Sequence, residues 1–70
     1  MKVYITNHVA RLRKEKGMTQ ESFADTIGVS RQTIIAIEKG NYTPSLLLGI
    51  KIAQVFKKKV EDVFACKYEN

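Results

Sequence analysis

The stretch Gln20–Lys39, QESFADTIGVSRQTIIAIEK, constrains the fold of this chain more than any other. Phe23, Ala24 and Ile27, then Ile34 and Ile37, recur at helical spacing. Only Gly28, Val29 and Ser30 separate the two runs. Ala24 has the small side chain needed where a second helix packs close above it. Gly28 suits a backbone at positive φ, which costs a residue with a Cβ ~1–2 kcal/mol. Val29 supplies an apolar residue to close the corner. These are the requirements for two helices crossing steeply on a short, rigid turn.

The same punctuation runs along the chain: a capping residue, an apolar period, then a glycine. In TNHVARLRKEKG, Thr6 is expected to cap a first helix that carries Val9 and Leu12, and Gly17 to end it. Basic residues crowd its last turns, which suits the negative end of a helix. Thr19 is expected to cap the second helix, with Glu21 in its first turn, and Ser30 the third, which stops at Gly40. NYTP reads as a loop. Ser45 then caps a fourth helix through Leu46, Leu48, Ile50, Ile52, Ala53 and Phe56, and VEDVF forms a short fifth. Such spacing predicts an all-helical domain with connections of a few residues. The ends differ. KVYI and FACKY are rich in β-branched and aromatic residues, and each reads as a short strand able to pair with the other. Frayed tails are the competing reading.

Seventy residues make one small domain, expected to span 1–70, of which about 60% of the unfolded surface can be buried. With 12 Lys+Arg against 7 Asp+Glu the net charge is +5, which favours an anionic partner, nucleic acid before a membrane surface. Cys66 is the only cysteine, so neither an intrachain disulfide nor a cysteine metal site is available. A reducing, cytoplasmic setting fits. No apolar run reaches membrane-spanning length, and the N-terminal residues lack a signal-peptide apolar core. His8 stands alone and is expected to be exposed. No metal, cofactor or small-molecule ligand is expected.

The segments LRKEKGMTQ, GVSRQTIIAIEKG, PSLLL and VEDVF make the chain resemble the lambda-repressor/Cro-like (xenobiotic-response-element) helix-turn-helix family of transcriptional regulators. The likeness covers about residues 7–64, with the helix-turn-helix at 20–39. It implies a five-helix DNA-binding domain, acting as a homodimer on a palindromic operator, in some members with a small terminal two-stranded sheet. Recognition helices of this kind touch base edges in the major groove with their N-terminal residues. The base-reading candidates are therefore Arg31, Gln32, Ile35 and Ala36. Arginine can reach guanine O6/N7, glutamine can reach adenine N6/N7, and an isoleucine can meet a thymine methyl. The competing reading is a solvated helix face with one stray isoleucine.

Phosphate contacts are expected from Gln20, at the start of the second helix where free N–H groups favour an anion, and from Ser30, which pure capping also explains. Lys39, Asn41, Tyr42 and Thr43 follow the recognition helix, where the family tracks the backbone. Arg13 and Glu38 look like surface charges, but the resemblance implies a partly buried pair joining the first helix to the third. Lys57–Lys59 reads as a solvated loop. Gly49 departs from the family pattern. Within a helix it costs ~1 kcal/mol relative to alanine, unless a neighbouring backbone approaches closely.

A dimer contact is expected on the fourth and fifth helices and the ends, through Val60, Val63, Phe64 and Tyr68. Two recognition helices about 34 Å apart would then read successive major grooves. The leading function is a sequence-specific regulator binding double-stranded DNA, acting as a repressor by occlusion. An enzyme is disfavoured, because the chain has one His, one Cys and no Gly-rich phosphate loop. An antitoxin or protein-interaction adaptor on the same fold also fits the pattern, as does a controller protein of a restriction-modification system.

Overall fold

The computed structural model describes residues 1–70 as five helices and a two-stranded sheet. In order these are β1 (Lys2–Asn7), α1 (Val9–Glu15), α2 (Gln20–Ile27), α3 (Arg31–Lys39), α4 (Leu46–Phe56), α5 (Val60–Val63) and β2 (Phe64–Glu69). No helix is long and apolar enough to cross a membrane.

The chain ends pair as antiparallel strands, with Val3 opposite Tyr68 and Ile5 opposite Cys66. Both strands run further than the sequence pattern suggests, and β1 extends through Thr6 and Asn7. Thr6 is therefore not the cap of α1. It pairs with Ala65 in the ladder, and the Asn7 Oδ1 accepts the Val9 N–H at 3.0 Å in its place. The backbone N–H of His8, exposed as expected, donates to the Val63 carbonyl at 2.9 Å and pins the start of α1 to the end of α5.

Three helices start on hydroxyl caps. Thr19 forms a reciprocal pair with Ser22, Ser30 accepts from the Thr33 N–H, and Ser45 accepts from the Leu48 N–H. Helix α2 ends on Gly28 at φ 89°, whose N–H and that of Val29 both donate to the Ala24 carbonyl. That double closure leaves room for only two residues between the end of α2 at Ile27 and the Ser30 cap. Helix α4 ends differently, on Lys57 at φ 55°, a left-handed residue that is not glycine. The lysine run is a solvated connection as expected, and its first residue also supplies a strained helix stop.

Val9, Leu12, Phe23, Ala24, Ile27, Ile34, Ile37, Ile52, Ala53, Phe56 and Val63 form one core. Phe23 and Phe56 stack at its centre, their ring centroids 5.1 Å apart. Val63 is fully buried within the single chain. That removes it from the dimer contact expected from sequence. The fourth helix keeps Gly49, Ile52, Ala53 and Phe56 inside, while Leu46 and Leu47 are 76% and 70% exposed.

The nearest atom to a Cβ added at Gly49 is the Phe64 Cε2, 3.9 Å away, an ordinary contact with a side chain rather than a backbone. The glycine simply weakens α4. Gly49→Ala should stabilise the fold by about 0.5–1 kcal/mol. Gly28→Ala meets nothing closer than the Lys51 Nζ at 4.0 Å, yet should destabilise by about 1–2 kcal/mol through its positive φ alone. Urea denaturation of both variants checks the opposite signs.

Candidate nucleic-acid interface

One cluster of side chains ties α3 to α1 and α2. Arg13, on α1, directs its Nε to Glu38 Oε2 at 2.7 Å and its Nη2 to Glu38 Oε1 at 3.2 Å. Its remaining nitrogen, Nη1, donates to the Met18 carbonyl at 2.8 Å. Gln20, opening α2, donates from Nε2 to Glu38 Oε1 at 3.1 Å. The two charged side chains are only 9% and 7% exposed. One guanidinium thus joins α1, the α1–α2 connection and α3, and a glutamine adds α2. The fork matches the carboxylate in two parallel bonds, which fixes direction as well as distance. Burial pushes the Glu38 carboxyl upward. The bonds from Arg13 and Gln20 and the charges of Arg13 and Lys14 outweigh this and hold the carboxyl below its usual range.

Beyond this anchor, α3 turns a different face outward. Arg31 and Gln32 are exposed in its first turn, while Ile35 and Ala36, one turn on, are half-buried. Ile35 is therefore less open to water than its sequence position suggests. Lys39, Asn41, Tyr42 and Thr43 are exposed along the end of α3 and the chain leaving it.

Two expected phosphate ligands already have intramolecular partners. The Gln20 amide is committed to Glu38, so what Gln20 adds toward an anion is the free N–H end of α2 and its unused amide atoms. The Ser30 hydroxyl caps Thr33 and lies 2.9 Å from the Thr33 hydroxyl. A polar hollow of about 440 Å³ is lined by Arg13, Thr19, Gln20, Glu21 and Arg31. It brings the start of α2 and the first residue of α3 together beside the anchor.

The residues expected at a subunit contact differ in exposure. Val60 and Phe64 are half-buried, and Tyr68 is 66% exposed. With Ile5, Pro44, Leu46 and Gly49, Val60 and Phe64 line an apolar groove of about 170 Å³. The sequence pattern does not mark Leu46, Leu47 and Ile5 as surface residues. The three consecutive leucines after Ser45 carry the one hint, because a single helix face cannot turn all three inward.

The Arg13–Glu38 pair should couple strongly in a double-mutant cycle, above the roughly 0.2–1 kcal/mol typical of exposed pairs. It should also be pH-sensitive. A carboxyl with a depressed folded pKa contributes stability that is present above its unfolded value and lost as pH falls through the folded one. Acidification from about pH 5 downward should therefore destabilise the wild type more than Glu38→Gln, read by denaturation at each pH. A coupling near zero, or parallel pH profiles, contradicts this.

Residues 9–63 match the helix-turn-helix family profile. The chain is 53% identical over 64 residues to the uncharacterized HTH-type transcriptional regulator YgzD of Bacillus subtilis (strain 168), covering 91% of this chain and 97% of that one. An uncharacterized HTH-type transcriptional regulator of Methanothermobacter thermautotrophicus is 49% identical over 65 residues, covering 91% of this chain and 88% of its own. In three dimensions the chain is similar to the restriction-modification controller protein C.AhdI from Aeromonas hydrophila, with a TM-score of 0.72 and 27% identity over 79% of this chain and 83% of that one. The profile, the relatives and the two helices crossing at Gly28 agree: the chain belongs to the Cro/C1-type helix-turn-helix family of DNA-binding transcriptional regulators.

Proposed function

We propose that this protein is a sequence-specific repressor that binds a two-fold symmetric operator in double-stranded DNA as a homodimer. The observation that carries the reading is the outward face of α3. It offers a guanidinium, an amide and two apolar side chains on a helix whose tilt is held by a buried ion pair. In this reading Arg31 and Gln32 read base edges, and Ile35 and Ala36 line the groove beside them. Gln20, Ser30, Lys39, Asn41, Tyr42 and Thr43 hold phosphates. Occlusion of the promoter by the bound dimer accounts for repression.

The homodimer is supported by apolar surface that one chain leaves open. Val3, Ile5, Cys66 and Tyr68 alternate onto one face of the sheet. Val3 is 53% exposed, and the outer half of the ribbon is exposed on both faces. A lone two-stranded ribbon is marginal in water. Together with Leu46, Leu47, Ile50, Val60 and Phe64 this face replaces the contact expected from sequence, with Val63 withdrawn to the core. An antitoxin or adaptor would use the same face for another protein, and co-purification of that protein distinguishes the two. A controller of a restriction-modification system is a narrower form of the main reading, supported by the likeness to C.AhdI.

Reading and holding should separate by mutation. Gln32→Ala should cost about 1–3 kcal/mol on the preferred duplex and little on scrambled DNA. Arg31→Ala should do the same at another base pair. Lys39→Ala should weaken both duplexes alike and flatten the salt dependence by about one phosphate contact per subunit. Binding titrations across a salt series check this. Equal losses on both duplexes for Gln32→Ala would overturn its role.

Leu47→Glu places a charge on an exposed residue and should leave the monomer folded. Sedimentation should show a dimer for the wild type and a monomer for the variant, with weakened binding to the symmetric duplex. A wild type that stays monomeric with and without DNA would sink the homodimer.

A further inference from the structure

The side chain of Asn7 joins three elements. It is the last residue of β1, opposite Phe64 in the ladder. Its Oδ1 accepts the Val9 N–H at 3.0 Å in the first turn of α1. Its Nδ2 donates to the Ile37 carbonyl of α3 at 2.8 Å, across thirty residues of sequence. Ile37 lies in the last turn of α3, where carbonyls have run out of regular helical partners. The N–H of Asn41, four residues on, goes instead to Ala36 at 2.9 Å, and Gly40 N–H supplies Ile37 with a 3.0 Å bond. The Asn7 amide completes that carbonyl from outside the helix.

Neighbouring residues of α3 are thus held from two sides: Glu38 by Arg13 and Gln20, and Ile37 by the end of the ribbon. The ribbon end is itself fixed, because His8 N–H bonds to the Val63 carbonyl beside it. The start of α3 is set by the tight turn at Gly28. The C-terminal half of the helix, which carries Ile35, Ala36 and Lys39, is thus held on one side through Glu38 and on the adjacent residue through Asn7. The same strand carries Val3 and Ile5 on the open apolar face.

We propose that Asn7 is a positioning residue for DNA reading, tying the ribbon to the last turn of α3 so that the ribbon sets how that helix enters the groove. This rests on the DNA-binding reading above. The tie transmits the ribbon's position, including any fixed by a second copy, to the recognition helix without Asn7 touching DNA.

The test uses the full chain with two substitutions. Asn7→Ser keeps an acceptor of comparable capping strength for Val9 but is too short to reach Ile37. Asn7→Asp is nearly isosteric, keeps the acceptor and removes the donor. Hydrogen exchange is measured on the free proteins, and affinity for the selected and the scrambled duplex is measured where circular dichroism shows each variant folded. Either variant that folds serves. Exchange of the Gly40 and Asn41 amides should quicken about fivefold, while core amides such as those of Phe23 and Ile52 stay slow. The ratio of selected to scrambled affinity should fall about fivefold or more, with the salt slope unchanged.

Faster exchange with an intact affinity ratio would reduce Asn7 to a structural tie and overturn the proposal. So would unchanged exchange. A wild type that prefers no duplex would instead bring down the DNA-binding reading itself, and the two failures are therefore told apart.

Discussion

The outward face of α3 is oriented by a charge pair that faces inward. Arg13 and Glu38 are nearly excluded from water, and burying two charges costs several kcal/mol per ion before their attraction is counted. Such a pair is weak support for stability in its own right. What it supplies is direction. All the guanidinium nitrogens are used, two on the carboxylate and one on the Met18 carbonyl, so α1, α3 and the connection between α1 and α2 cannot shift independently. Gln20 closes the remaining side of the carboxylate from α2. An apolar core of eleven residues would tolerate small rotations of α3, whereas this forked contact does not.

Much of this architecture is legible in the sequence, because it is written in local chemistry. Thr19, Ser30 and Ser45 cap the helices they precede, and Gly28 marks a turn that only a positive φ can make. What the sequence conceals is non-local. A strand is completed by its partner, so nothing within KVYI shows that pairing with β2 carries β1 on through Thr6 and Asn7 and moves the start of α1 past Thr6. Helix α5 has four residues, too few for a period to say that Val63 points inward while Val60 lies at the surface of the core. Leu46 and Ile50 fall in the apolar run of the fourth helix, yet both are exposed. Only the packing of α4 against the rest shows that Gly49, Ile52 and Ala53 occupy the inner stripe. Arg13 and Glu38 look like ordinary surface charges until a family resemblance links them.

The exposed apolar surface and the exposed polar face of α3 have different physical meanings. Scattered surface leucines need no explanation, but exposed Leu46 and Ile5 line one groove between β1 and the start of α4, and Val3 and Tyr68 lie on the same sheet face as Ile5. A chain of seventy residues has little stability to lose to unsatisfied apolar area. A second copy covering this region would bury the area and also hold two α3 helices at a fixed separation. Stability and spacing would then come from one contact, and the ribbon would serve both.

On the proposed reading, in which α3 reads a defined sequence twice from a symmetric pair of chains, the chosen DNA carries the mark of that pairing. Selection of bound sequences from random duplex DNA by the purified protein reads that mark. Selection should enrich a two-fold symmetric site whose half-sites lie about one helical turn apart, roughly 10–10.5 base pairs from centre to centre. A pool that stays random after repeated rounds, or one that converges on a site without symmetry, would contradict paired reading by α3.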